Sequence, residues 1–156
     1  HIEKLRVENE LQNTDKQMRK VLQDLITKNQ LVENLNEEIE QIKLNDTDLK
    51  LQQETSKISD KLQSFVLLTE ENWLEFKKLF EKLNPGFFSH FADNYPDLTN
   101  AEVRLAALIK LNLSNLEMSH TLGISPNSVR KTNLRLRKRL NIEEQSDLTK
   151  LIKDIK

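Results

Sequence analysis

The residues best suited to chemistry in this sequence lie in a basic run between residues 126 and 139. The run carries six basic residues and no acidic one: Arg130, Lys131, Arg135, Arg137, Lys138 and Arg139. If the run is helical, Val129, Leu136 and Leu140 share one face, and a basic face lies opposite them. Such a helix suits the major groove of DNA, where arginine and lysine meet bases and phosphates.

Two helix-start signals precede this basic run. The pairs Thr99–Glu102 and Ser114–Glu117 have the spacing of a capping box, in which each side chain bonds the backbone amide of the other residue. We therefore predict that one helix begins just after Thr99 and a second begins just after Ser114.

A third helix start follows at Ser125 and Pro126. Serine is a favoured cap, and proline fits the first helical position because its missing N–H would be unpaired there anyway. Gly123, two residues earlier, suits the left-handed residue that ends many helices. The sequence therefore predicts a short helix, residues 115–122, that turns sharply into a longer one, residues 126–140. This arrangement is a helix-turn-helix.

The segment from residue 98 to residue 140 resembles the LuxR-type (GerE-type) helix-turn-helix of bacterial transcription factors. The motifs that carry the resemblance are Leu98-Thr99-x-x-Glu102, Leu113-Ser114-Asn115-x-Glu117, the run from Leu122 to Val129, and Leu136-x-x-x-Leu140. The sequence departs from the family at Leu116, Met118-Ser119 and Thr132, where Lys, Ile-Ala and His are common. The resemblance implies an all-α DNA-binding domain of a transcriptional regulator.

We assign base contacts to the side of the predicted recognition helix that lies opposite its apolar stripe. Arginine or lysine can pair with guanine, asparagine with adenine, and leucine with the methyl group of thymine. The predicted base contacts are Asn127, Arg130, Lys131 and Leu134. The predicted contacts with the DNA backbone lie at helix starts or late in the basic run, and they are Thr99, Ser114, Asn115, Ser128, Arg135, Arg137 and Lys138.

The N-terminal part of the chain has the pattern of a coiled coil. Residues 2–68 contain neither Gly nor Pro, and their apolar residues recur at heptad spacing. A continuous helix here, roughly 100 Å long at 1.5 Å per residue, predicts a parallel homodimeric stalk. Its seam would consist of Leu11, Met18, Leu25, Val32, Leu35, Ile39 and Ile42. The heptad phase changes near residues 43–51. The alternatives to a parallel stalk are an antiparallel hairpin that turns at residues 45–48 and an artificial assembly of a truncated fragment.

Aromatic residues concentrate between this predicted stalk and the helix-turn-helix. Trp73, Phe76 and Phe80 have the spacing of one helical face, and Pro85-Gly86 ends that helix. We expect a small core that joins the two parts. A last helix, about residues 143–155, has an apolar face that would either dimerise, as is common in the LuxR-type family, or pack back onto the aromatic region.

The amino-acid composition excludes several classes of function. The 156-residue chain is 31% charged, has two Gly and three Pro, and has no Cys, which excludes disulfides and thiol chemistry. Residues 99–156 carry 11 basic and 6 acidic residues, a net charge of +5, whereas the whole chain carries −1. No phosphate-binding loop, metal-binding cluster or catalytic triad is recognisable. We therefore expect a protein that is not an enzyme and has no metal, cofactor or small-molecule ligand.

The location and the partners follow from the same observations. The absence of Cys fits a reducing cytoplasm, and no apolar run approaches the roughly 20 residues of a membrane span, so we expect this part of the protein to be cytoplasmic. The sequence begins at His1, not Met, and we expect it to be a piece of a longer protein. The resemblance to multidomain bacterial sensor-regulators implies sensor domains, and in some cases a membrane anchor, upstream.

The sequence thus predicts an all-α protein with a long coiled-coil helix followed by a small helical DNA-binding domain. Its parts would be a dimerisation stalk (residues 1–68), an aromatic-rich connector (69–97) and a LuxR-type domain (98–156). The predicted function is sequence-specific binding of double-stranded DNA by a homodimer that regulates transcription. The alternatives are a coiled-coil scaffold for protein–protein interaction and a sigma-factor-like promoter-binding domain.

Overall fold

The computed structural model describes the backbone of residues 1–45, 48–67 and 69–155, and it describes side chains throughout these ranges except at residues 62–67 and 69. Within these ranges the chain forms helices and no strand, so the all-α prediction is confirmed. The helices are α1 (Ile2–Asn45), α2 (Leu49–Leu67), α3 (Thr69–Leu83), α4 (Phe87–Asn94), α5 (Asn100–Lys110), α6 (Asn115–Leu122), α7 (Pro126–Arg139) and α8 (Gln145–Asp154).

The long N-terminal helix ends earlier than the sequence predicts. Helix α1 stops at Asn45 after 44 residues, so the prediction of one continuous helix through residue 68 is wrong. Helix α2 starts at Leu49, where the backbone amide of Lys50 donates to the Asp48 carboxylate (3.0 Å). Because α2 and then α3 pack along α1, the chain turns back on itself. This is the hairpin alternative, although residues 46 and 47 of its predicted turn lie outside the described residues.

The predicted dimer seam is largely used inside the single chain. Met18, Leu25, Val32 and Ile39 are buried, and Leu35 is half-buried. Leu11 and Ile42 are each 45% exposed. The heptad spacing therefore did identify a buried helical stripe, but the surface that covers most of it belongs to the same chain. In this conformation, four of the seven seam residues are not available to a parallel partner.

One hydrophobic core crosses both predicted domain boundaries. Met18 and Leu22 of α1 belong to the same buried cluster as the aromatic residues of α3 and α4 and the apolar residues of α5–α8. Phe76, Phe80, Phe87 and Phe91 are fully buried, and the rings of Phe80 and Phe87 meet edge to face with centroids 5.0 Å apart. The aromatic segment joins the other two parts, as predicted, but it does so as the centre of a shared core.

Two further contacts hold the outer helices of this core. Arg104 of α5 forms a bidentate ion pair with Glu70 of α3, with both N–O distances 2.7 Å, and this hydrogen bonding lowers the pKa of the Glu70 carboxyl. Leu148 and Ile152 of α8 are fully buried, and α8 packs on α5. The last helix therefore packs on α5 within the shared core that also contains the aromatic residues of α3 and α4, close to the second of the two arrangements left open for it.

Candidate nucleic-acid interface

Both predicted capping boxes are present. At the start of α5, the Glu102 amide donates to the Thr99 hydroxyl (3.2 Å), and the Thr99 amide donates to the Glu102 carboxylate (3.0 Å). At the start of α6, the same two bonds join Ser114 and Glu117, each at 3.1 Å. These local bonds start α5 and α6 where the sequence places them.

The turn between α6 and α7 has the geometry of the predicted helix-turn-helix. Gly123 is left-handed, with φ 67° and ψ 32°, and it ends α6. The Ser119 hydroxyl donates to the carbonyl of Ile124 (2.8 Å) and the Ile124 amide donates to the carbonyl of Ser119 (3.1 Å), which closes the turn from both sides. The Ser125 hydroxyl then accepts from the Ser128 amide (3.1 Å), with Pro126 at the first helical position of α7. The direction of α7 is thus set by local bonds.

Helix α7 buries one side and exposes the other. Val129 and Leu136 are fully buried, and Thr132 and Leu140 are nearly so, against α5 and α6. All four predicted base contacts lie on the exposed side: Asn127, Arg130, Lys131 and Leu134. Their spacing along the helix brings them onto one continuous face. The side chains that could read bases are therefore presented together to solvent.

The predicted contacts with the DNA backbone fall into two groups. Thr99, Ser114 and Asn115 are exposed at the starts of α5 and α6, and Arg135 and Lys138 are exposed on α7. Ser128 is half-buried and its hydroxyl oxygen accepts from the Ser125 hydroxyl (3.0 Å). These six residues remain candidates for contacts with phosphates.

Arg137 is placed differently from the other predicted backbone contacts. It is half-buried, and its guanidinium donates to the backbone carbonyl of Glu143, in the loop between α7 and α8. Its Nε atom is buried as well, so the side chain packs against the loop and does not extend into solvent. We therefore remove Arg137 from the proposed set of DNA contacts.

Sequence reasoning missed the role of Arg139. Its Nε lies 3.2 Å from the carboxylate of Glu102, which is 1% exposed, and its Nη1 donates to the carbonyl of Asp97 (2.8 Å). Arg139 therefore ties the end of α7 to the start of α5. In the sequence it looks like any other member of the basic run, since only the fold brings residues 102 and 139 together.

Sequence reasoning also missed the contact between α1 and the helix-turn-helix. Asn29 is buried, and its side-chain amide donates to the carbonyls of His120 and of Thr121 (3.3 Å) in α6. Glu33, one turn further along α1, lies 3.4 Å from Nε2 of His120. The only sequence signal was that Asn29 and Asn36 continue a heptad series that begins with Leu22, so two polar residues occupy positions of a buried stripe.

Other kinds of site are not visible in the part of the chain that the structure describes. In these ranges no three His, Asp or Glu residues group as a metal site would require. None of the described helices combines the length and apolar character needed to cross a membrane. The exposed face of α7 is thus the candidate site with a defined chemistry.

Comparison with known proteins identifies no relative of this chain. No protein-family model, curated protein or solved structure matches this chain. The class of protein defined by the fold is a helical protein with a capped helix-turn-helix. The resemblance to LuxR-type domains rests on the motifs between residues 98 and 140.

Proposed function

We propose that this protein binds double-stranded DNA in a sequence-specific manner through α7 and thereby regulates transcription as a LuxR-type regulator. The observation that carries the proposal is the exposed face of α7. This face combines Asn127, Arg130, Lys131 and Leu134 in one place, on a helix whose opposite side is buried. A helix that served only to cap the core would gain nothing from a basic face without a single acidic residue.

Electrostatics and helix ends support the same proposal. Arg135 and Lys138 are exposed in the C-terminal half of α7, where they can neutralise phosphates beside the groove. The starts of α5 and α6 carry exposed hydroxyl and amide side chains, beside backbone N–H groups that favour anions. Bases would be read by the centre of the face, and phosphates would be held at its margins.

The direct test is selection of bound sequences from a pool of random double-stranded DNA, followed by fluorescence anisotropy with the selected sequence. The proposal predicts that one motif is enriched and that its affinity falls steeply as salt rises, because counterions are released from the DNA. Enrichment of no motif, together with no binding in low salt, would contradict it.

We also propose that two copies bind together, since a domain with one recognition helix covers few base pairs. Of the predicted seam, the pairing surface we propose keeps only Leu11. It is the N-terminal end of α1, where Val7 and Leu11, four residues apart on one face, are each about half exposed. Sedimentation of the chain at micromolar concentration should show a dimer that becomes monomeric in Leu11→Lys. A monomeric unmodified chain would contradict this pairing.

A further inference from the structure

The far half of α1 runs beside the turn of the helix-turn-helix. A groove of about 590 Å³ lies between them, lined on one side by α1 and on the other by residues of the turn that include Gly123, Ile124 and Ser125. On the α1 side it is lined by Glu33, Glu37 and Glu40. These positions are four and three residues apart, so the three carboxylates lie along one face of α1.

This face of α1 is acidic and lies beside the turn that leads into the basic helix α7. Residues 29–45 contain four glutamates against one base, Lys43, which lies 3.5 Å from the carboxylate of Glu40. Ser125, which also lines the groove, is the N-cap of α7. The positive end of the helix dipole at the start of α7 favours a phosphate. Carboxylates of α1 therefore line the same groove as the N-cap residue of α7.

Beside the groove, α1 makes polar contacts with the end of α6. They are made by the amide of Asn29 and by the pair Glu33–His120, and the Oδ1 atom of Asn29 is buried without a hydrogen-bond partner. Closer to its N-terminus, α1 is held by Met18 and Leu22, which are buried in the main core. A buried polar atom without a partner costs stability, so this polar contact is weaker than it would be with every group paired.

We propose that the acidic face of α1 is an autoinhibitory contact, in which Glu33, Glu37 and Glu40 compete with DNA phosphates for the start of α7. DNA binding then requires residues 29–45 of α1 to move away from the turn. This inference rests on the proposed DNA binding by α7 and adds its regulation. A partner or signal that draws the hairpin of α1 and α2 away would activate the protein without touching α7.

The first test removes the charges and keeps the shape. The triple variant Glu33→Gln, Glu37→Gln and Glu40→Gln should bind the selected DNA about tenfold more tightly than the unmodified chain in low salt. The gain should shrink as salt screens the repulsion. The matched control is Glu3→Gln, Glu8→Gln and Glu38→Gln, with the same change of net charge at exposed glutamates that do not line the groove. The control should change affinity by about twofold at most.

The second test fixes α1 against the turn. The chain has no Cys, so Gln41→Cys and Ile124→Cys, on the two sides of the groove, introduce the only thiols. Joining these thiols with a short bismaleimide should abolish DNA binding. The same variant with both thiols capped by N-ethylmaleimide should bind as the unmodified chain does. Equal binding by the cross-linked and capped forms would overturn the inference.

The outcomes separate this inference from the proposed function. If the unmodified chain binds a selected sequence and the two triple variants bind it equally tightly, the autoinhibitory contact is wrong and DNA binding stands. If the groove variant binds the selected sequence about tenfold more tightly than the unmodified chain and the control variant does not, both are supported. If no variant binds any DNA in low salt, the proposed function fails and the inference fails with it.

Discussion

The arginines of α7 have different roles because their side chains lie in different surroundings. Arg130 is exposed at the centre of the face of α7 that we propose reads bases. Arg137 is held by the loop carbonyl of Glu143, and Arg139 is paired with the buried Glu102. The number of basic residues in such a run therefore does not equal the number of DNA contacts. Some of these residues stabilise the domain, and only the others are exposed to DNA.

Arg130 should contribute both affinity and preference for a base. We expect Arg130→Ala to weaken binding of the selected sequence by about 1–3 kcal/mol and to relax the preference at one base pair. Anisotropy with the selected duplex and its single-base variants measures both effects. Lys150→Ala, which removes one exposed charge from α8, should leave the preference unchanged. If Arg130→Ala behaved like Lys150→Ala, the assignment would be wrong.

Arg139 should contribute stability more than binding. Replacing it with Ala leaves the buried carboxylate of Glu102 without its ion-pair partner, which we expect to cost about 1–3 kcal/mol of unfolding free energy. Urea unfolding followed by circular dichroism measures this loss. Arg135→Ala removes an exposed arginine from the same helix and should stay within about 0.5 kcal/mol. Equal losses in the two variants would refute the structural role of Arg139.

At the scale of elements, the helix-turn-helix is set by local bonds. The capping boxes start α5 and α6, and the left-handed Gly123 ends α6. Each device involves residues at most a few positions apart, so each could be recognised in the sequence. Helix α1 is different, because nothing near residue 29 in the sequence indicates that it packs on α6.

Gly123 offers a matched test of the turn. Its φ of 67° costs a residue with a Cβ atom roughly 1–2 kcal/mol, so Gly123→Ala should lower the unfolding free energy by about that amount. Gly123→Asn should lose less, because asparagine adopts this conformation more readily than alanine does. Urea unfolding of the two variants shows which of them has the higher free energy of unfolding. An alanine variant as stable as the asparagine variant would contradict the conformational explanation.

At the scale of the whole molecule, the shared core makes a further prediction. Because residues of α1 and of α3–α8 belong to one cluster, the chain should unfold in a single transition. Fluorescence of Trp73, the only tryptophan, reports on α3, and circular dichroism reports on all helices. The two urea curves should coincide. Two separated transitions would indicate an independent domain within residues 98–156.

Met18 tests whether α1 is part of that core. Met18→Ala should cost about 2–5 kcal/mol, because the residue is fully buried, and should shift both curves together. Leu31→Ala, on the same helix but 57% exposed, should stay within about 0.5 kcal/mol. A shift of only one curve in Met18→Ala would contradict a shared core.

The sequence by itself determined the all-α class, the starts of α5, α6 and α7, the turn at Gly123 and which side of α7 is exposed. Caps, turns and helical periodicity depend on residues within a few positions of each other, so they can be predicted without knowing the fold. The alternation of buried and exposed positions along α7 follows from the same periodicity.

Only the tertiary structure decided what covers the apolar stripe of α1. A stripe at heptad spacing is buried equally well by a second chain or by a returning segment of the same chain. The choice depends on the break after Asn45 and on the aromatic residues of α3, which bury Met18 and Leu22 in one core. The tertiary structure likewise paired Arg139 with Glu102 and brought Asn29 and Glu33 onto α6. Such contacts join residues 37 to 92 positions apart, and no local pattern in the sequence encodes them.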